Sequence, residues 1–362
     1  MQPFIYAQSP VRVVFGAGTK ANVGSEVQLL NCHRAVVLST PEQADQARNL
    51  AEALGPLSVG TLAQAVMHTP VEVTERAVEA VQSMRVDCIV AVGGGSTIGL
   101  SKAIALRTDL PQIVLPTTYA GSEATSILGQ TAAGEKTTLR SPKVLPEVII
   151  YDVDLTMSLP PHLTAVSGMN AIAHAVEALY AADANPITSL LAEEAIAVLG
   201  KALPRLRENP NDREARTDAL YGAWLCGTCL NAVSMGLHHK LCHTLGGSFN
   251  LPHAETHTVI LPHAARYNAA ASPDAMRRIA RALGAEDAPQ ALFDLAKSLG
   301  APVALETLGL KPADLARATA LATKTPYPNP EPLTEPGIRM LLENALSGTR
   351  PSASASPENV YA

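Results

Sequence analysis

Six of the chain's ten histidines fall between His238 and His263, a density that marks this segment as a place for chemistry. His239 and His243 are four apart in a helical stretch, so both rings leave the same face. His253 follows beyond Gly246, Gly247 and Pro252, and upstream Asn170 and His174 are again four apart. Two such pairs on neighbouring helices can converge on one centre with three imidazoles, which by residue type is metal-ligand chemistry. Two features argue against a plain zinc site. Lys240 stands where an H-E-x-x-H metalloprotease needs its general base, which excludes a zinc peptidase. Asn170 is neutral, and a poorer ligand for a divalent cation than Asp. His238, His257 and His263 are expected to be core or surface histidines rather than ligands. Cys226 and Cys229 form a C-x-x-C in an apolar helical run with no second such pair, which reads as packing.

A second feature with chemical content lies in the first half. The segment 86–96 runs a strand straight into Gly93, Gly94 and Gly95, then Ser96 and a helix. Glycines let the backbone approach a ligand closely, and the helix start offers free N–H groups and a positive dipole end. A diphosphate is the natural guest. The earlier run Gly16-Ala17-Gly18-Thr19-Lys20-Ala21 fits a dinucleotide fingerprint, G-x-G-x-x-A. No Asp or Glu ends a second strand to take the ribose, so this run reads as a structural turn. The second strand runs instead into Ser39, Thr40 and Pro41. Without a carboxylate there to repel a 2′-phosphate, the site accepts NADPH as well as NADH.

These residues need elements to hold them. The runs 12–15, 35–38, 88–92, 112–115 and 147–151 read as buried strands, with helical stretches at 41–54, 70–83 and 97–106 between them. Strand and helix in alternation predict a parallel sheet covered on both faces. From about residue 156 the strand signal stops, and Ala- and Leu-rich helices follow over 169–182, 189–206, 213–237 and onward to 347. The chain is therefore expected to divide into an α/β dinucleotide-binding domain over 1–155 and an all-helical catalytic domain over 156–350. A small, polar tail over 351–362 is expected to be disordered. The 362 residues suit two such domains. Lys plus Arg number 27 against 33 Asp plus Glu, a net charge of −6 with no basic run, which speaks against a nucleic-acid partner. No apolar run reaches the length of a membrane span, and the start lacks the pattern of a signal peptide. Five scattered cysteines point to a reducing, cytoplasmic compartment.

Taken in order along the chain, Gly93-Gly-Gly-Ser96, Pro116-Thr-Thr118, Asn170-x-x-x-His174, and His239-x-x-x-His243 with His253 resemble the iron-containing (group III) alcohol dehydrogenases. Within that family the chain is similar to the maleylacetate reductases, through Met67-His-Thr-Pro-Val-Glu-Val73, Gly93-Gly-Gly-Ser-Thr-Ile-Gly99, Pro116-Thr-Thr-Tyr-Ala-Gly121 and His238-His-Lys-Leu-Cys-His243. The resemblance implies a dehydroquinate-synthase-like fold with the active site between the two domains, and cytoplasmic homodimers using NADH or NADPH. It places Gly94, Gly95 and Ser96 on the diphosphate and Thr117 and Thr118 on further parts of the cofactor. Ser39 and Lys143 are added as cofactor contacts. The family's metal positions fall on Asn170, His174, His239 and His253, and its extra histidine, tied to proton transfer, on His243. Two departures stand out: Asn170 replaces the ligand Asp, and Gly99 replaces the Asp that usually follows the glycine loop. Three neutral imidazoles leave an ion's charge uncompensated, so no obligatory metal is expected.

The reaction then expected is hydride addition to the conjugated double bond of maleylacetate, giving 3-oxoadipate in aromatic-compound degradation. His174, His239, His253 and Asn170 would hold the enolate oxygen, and His243 would protonate carbon. Tyr119 and Ser122 are the expected contacts for a dicarboxylate substrate. One rival is a metal-dependent alcohol or hydroxy-acid dehydrogenase of the same fold, which chelation would inactivate. Another is a nucleotide-binding protein without turnover.

Overall fold

The computed structural model describes residues 3–132 and 135–352, so the tail expectation falls outside the described residues from 353 onward. The first half builds strands β1 (Arg12–Phe15), β2 (Ala35–Ser39), β3 (Ser58–Ala63), β4 (Cys88–Gly93) and β5 (Gln112–Pro116). An antiparallel hairpin, β6 (Ile127–Ala132) with β7 (Glu135–Arg140), follows, and β8 (Val148–Tyr151) returns to the sheet. The six-stranded sheet runs β1-β8-β5-β4-β2-β3, and its pairings are parallel. Alternate side chains sort to its two faces as the pleat requires. Val37, Val90 and Leu115 pack with α1 (Val23–Leu29) and α2 (Ala44–Leu54), while Val36, Ile89 and Val114 pack with α3 (Val71–Ser83) and α4 (Gly95–Thr108). Every residue of β4 is buried, which its apolar, β-branched run dictates for a central strand.

Neither β3 nor the hairpin is signalled in the sequence. Strand β3 is a half-buried edge strand interrupted by Gly60, and the described part of the hairpin lies largely at the surface. Such strands lack the unbroken apolar run that marks a central one.

The second half comprises α5 (Pro161–Tyr180), α6 (Pro186–Glu208), α7 (Arg213–Ala232), α8 (Leu237–Phe249), α9 (His253–Asn268), α10 (Pro273–Ala282), α11 (Ala288–Ser298), α12 (Leu315–Thr323) and α13 (Glu335–Ser347). Helix α5 is buried on every side from Thr164 to Tyr180, so its polar residues can be satisfied only from inside the protein. Asn185 and Asp212 cap α6 and α7 by accepting from the N–H groups of Thr188 and Ala215, each cap contributing about 1 kcal/mol. Helix α7 ends at Ala232, five residues short of the expected 237; α8 then starts afresh at Leu237 and carries the paired histidines. The helices close against the sheet's edge, where Trp224 lies 6.4 Å from the ring of Phe15 and 6.1 Å from that of Tyr151. Among the described residues no helix is long and apolar enough to cross a membrane.

Candidate active site

The winding of the sheet reverses between β2 and β4, and ligands of open α/β sheets bind beyond the carboxyl ends of strands at such a point. Gly94 sits there as the residue before α4, with Gly95 and Ser96 opening the helix. A Cβ on Gly94 would stand 2.9 Å from the Thr118 methyl, so the loop lies flat against Thr118. Thr117 donates its N–H to the Gly93 carbonyl at 3.1 Å, and Gln43 reaches across to donate to the Thr117 hydroxyl, also at 3.1 Å. Gln43 was not anticipated; it follows β2 in the short turn 41–43. The Thr97 hydroxyl is buried beneath the loop without a partner.

Three expected contacts are corrected. Ser39 closes β2, but its side chain is fully buried and spends its proton on the Thr40 carbonyl, leaving it no donor for a ligand. Lys143 lies at the other end of the sheet and pairs with Asp109, the residue that terminates α4. Fourteen residues of helix separate that end from Gly95, roughly 20 Å. Tyr119 is fully buried among the helices, its hydroxyl taken by the guanidinium of Arg216 at 3.2 Å. Arg216 also donates to Thr164 and to the carbonyls of Pro210 and Leu159, so this is a structural network. Ser122 keeps a buried hydroxyl with no partner. Its loop is pinned by Lys102, which donates to the carbonyls of Ser122 and Thr125 at 2.6 Å and of Ile127 at 3.0 Å; burial pushes the Lys102 ammonium down to about 7. The early Gly16–Ala21 run is a turn filled by Asp152, whose carboxylate accepts from the N–H groups of Gly18 and Lys20.

Across from the glycine loop, α5, α8 and α9 bring six imidazoles together. Nδ1 of His174 and Nε2 of His239 are 2.8 Å apart, and Nε2 of His174 lies 3.2 Å from the Ala120 carbonyl. The His239 ring is 6.3 Å from His243, which in turn stacks 6.5 Å from His253. His257 sits in the middle, 5.0 Å from His239 and 4.3 Å from His253 by ring centroids. His238 donates through Nε2 to the His257 carbonyl at 3.0 Å. His238 and His257 are thus buried members of the cluster, not bystanders, whereas His263 faces Phe293 in the core. The i, i+4 spacing of His253 and His257 is the signal that could have found the latter, being the spacing of the other two pairs. Glu177, three residues after His174, was also missed; its carboxylate lies 2.6 Å from Nδ1 of His239.

Burial governs the electrostatics. It pushes His238 and His239 down to about 3 and holds His174 and His257 well below the usual range, so these rings are neutral at neutral pH. Burial raises the Glu177 carboxyl, opposed by His238 and by the N–H groups at the start of α8. His243 is exposed and His253 half-buried, which leaves His243 in reach of solvent protons. The Asn170 side-chain oxygen is buried, with no partner.

The sequence profile described as "Iron-containing alcohol dehydrogenase" matches residues 10–153, and "Fe-containing alcohol dehydrogenase family, C-terminal" matches 164–346. The chain belongs to the iron-containing alcohol dehydrogenase family. A maleylacetate reductase from Rhizobium sp. (strain MTP-10005) is 56% identical over 351 residues, 97% of this chain and 100% of that protein. The crystal structure of maleylacetate reductase from Agrobacterium tumefaciens is 55% identical with a TM-score of 0.94, covering 97% of this chain and 100% of that one. The crystal structure of sulfoacetaldehyde reductase from Bifidobacterium kashiwanohense in complex with NAD+ is 26% identical with a TM-score of 0.89, over 96% of this chain and 100% of that one. The parallel sheet with its helical second half is the family's dehydroquinate-synthase-like fold.

The family's name implies iron, and the contacts here differ from those expected of that site. Imidazoles are suitable donors, and ligand atoms of His238, His239 and His257 lie within 4.8 Å of one another. That set is not the expected His174, His239 and His253. Two nitrogens on one tetrahedral ion stand roughly 3.3 Å apart, but His174 and His239 are closed to 2.8 Å, a hydrogen-bond distance. Position 170 supplies a neutral amide, and Glu177 is engaged by Nδ1 of His239 and by backbone N–H groups.

Proposed function

We propose that this chain reduces the conjugated carbon–carbon double bond of maleylacetate to 3-oxoadipate with NADH or NADPH, in the degradation of aromatic compounds, without an obligatory metal. The observation that carries the reading is a pocket of neutral, buried imidazoles with Asn170 in place of an anionic ligand. The match in sequence and fold to reductases named for that substrate supports it. The Gly94–Ser96 loop would hold the cofactor, whose chemistry there would be hydride donation to the alkene carbon β to the ketone. Negative charge then grows on the ketone oxygen as an enolate, which is less basic than an alkoxide and can be held by hydrogen-bond donors alone. His174, His239, His253 and the Asn170 amide are the candidate donors. The exposed His243 protonates the adjacent carbon and is recharged from solvent. The partnerless Ser122 hydroxyl is the substrate contact kept from the two expected. The reaction belongs between the α/β segment 1–155 and the helical segment 156–350, in a cytoplasmic homodimer; five buried cysteines, none in a disulfide, fit a reducing compartment.

Loss of absorbance at the NADH band, with fresh maleylacetate and with or without a strong chelator, tests the proposal. Equal oxidation in both samples is expected. Activity lost to the chelator restores the histidines to metal duty, in a metal-dependent dehydrogenase. No oxidation in either overturns the reductase reading.

A further inference from the structure

We infer that Glu177 is a positioning residue that fixes the hydrogen-bond direction of the buried imidazole pair, and so decides which side chains are left to face the substrate oxygen. Its place in turnover rests on the reaction proposed above; the geometry stands without it. The Glu177 carboxylate sits at the start of α8 and takes three of the N–H groups that a helix leaves unpaired there. Oε1 accepts from His238 at 2.8 Å, and Oε2 accepts from Gly236 at 3.2 Å and His239 at 3.4 Å. Both oxygens therefore act as acceptors, and the 2.6 Å contact of Oε2 with Nδ1 of His239 is one in which the imidazole donates.

A neutral imidazole that donates from Nδ1 carries its lone pair on Nε2. Nε2 of His239 faces Nδ1 of His174 at 2.8 Å, so His174 must donate from Nδ1 and keep its own lone pair on Nε2. Two neutral rings carry two protons for three contacts, and that of the last nitrogen with the Ala120 carbonyl, 3.2 Å, is the longest, so it is the one left without a proton. The line thus runs one way, His174 to His239 to Glu177. Both N–H bonds of the pair are spent inward, and neither ring has one left for substrate. Of the four candidate donors, the Asn170 amide and His253 remain for the enolate oxygen.

Glu177→Gln reverses the line. An amide N–H presented to His239 turns Nδ1 into an acceptor. His239 then donates from Nε2 to His174, and His174 from Nε2 to the Ala120 carbonyl, which draws that ring onto the loop bearing Ser122. Long-range ¹⁵N–¹H spectra of histidine-labelled protein with NADH bound and no substrate read the tautomers directly. We expect Nδ1–H for both His174 and His239 in the wild-type chain and Nε2–H for both in Glu177→Gln. Turnover of Glu177→Gln should fall about 10- to 100-fold with KM for NADH unchanged, and Glu177→Asp should recover part of it. An Nε2–H signal for either ring in the wild-type protein overturns the inference, whether or not any variant folds. So does a folded Glu177→Gln enzyme with reversed tautomers and wild-type turnover. The spectrum requires no reaction, so its outcome is independent of which substrate the enzyme reduces.

Discussion

Mild acid should unfold this protein unusually steeply, because it buries five neutral histidines. His174, His238, His239, His257 and His263 are each no more than 6% exposed. Burial pushes His238 and His239 to about 3 and His263 to about 4, and holds His174 and His257 well below the ordinary value. A base with a lowered folded pKa contributes stability that is complete above its unfolded value, about 6.5, and is lost as pH falls through the folded one. At pH 5 each of the five is protonated in the unfolded chain and almost unprotonated in the folded one. Each proton taken up on unfolding tilts stability by about 1.4 kcal/mol per pH unit, so five give about 7. Glu123, Glu147 and Glu177, raised by burial, bind protons in the folded state and offset part of this below their own folded values. A net uptake of two to five protons, or about 3 to 7 kcal/mol per pH unit, follows. Against a total stability of about 5 to 15 kcal/mol, the full slope of about 7 kcal/mol per pH unit centres unfolding between about pH 4 and 6, and each proton offset by the carboxyls moves it lower. Calorimetric titration of proton uptake, with circular dichroism from pH 7.5 to 4, measures both. His263→Leu removes one of the five far from the reactive pocket and should make the slope shallower by about one proton without changing turnover. Stability that is flat from pH 7 to 5 would refute the neutral-histidine account.

Asn170→Asp places a carboxylate where a buried oxygen now has no partner. Without an ion it should cost about 3–5 kcal/mol, and Zn²⁺ or Fe²⁺ at a hundredfold excess over Kd should return about 2.7 kcal/mol; an equal gain by the wild-type chain would contradict a metal-free pocket. His243→Ala should lower turnover about 10²- to 10⁴-fold with NADH affinity nearly unchanged, and an unaltered rate would remove His243 from proton transfer. Gly94→Ala drives a Cβ to 2.9 Å from the Thr118 methyl and should weaken NADH binding at least about tenfold by fluorescence titration, whereas Lys143→Ala, at the far end of the sheet, should bind NADH as the wild-type chain does.

The four inner strands β2, β4, β5 and β8 were legible because each is an apolar run between turn residues, and burial on both faces leaves no other pattern for a strand such as β4, whereas β1, at the sheet's edge, was legible from its short β-branched run. The edge strand β3 and the hairpin were illegible for the same reason, since a half-exposed strand need not be apolar. Chemistry at the sheet's carboxyl edge was legible from Gly93–Ser96, but direction along the sheet was harder to judge. Lys143 precedes a strand and Ser39 ends one, and only the strand polarity shows that the first stands at the wrong end. Even at the right end, the Ser39 hydroxyl is buried and donates to the Thr40 carbonyl.

In the helical half, spacing located faces and could not locate depth. The four-residue interval correctly grouped His239 with His243 on α8, yet one lies buried and the other exposed, although Cys242 and Leu245 on either side of His243 are in the core. His238 is adjacent in sequence and points about 100° away; it faces α9, which brings His257 to meet it. Glu177 shows the limit most clearly. A lone Glu on an apolar helix carries no motif, and its meaning comes from α8 beginning directly opposite, so that one carboxylate serves a helix terminus and an imidazole together. That double duty takes up the one carboxylate in contact with the imidazole pair among the described residues. An ion held by these histidines would therefore depend on neutral donors, and this is the physical reason to look for enolate chemistry in the pocket rather than metal-bound alkoxide chemistry.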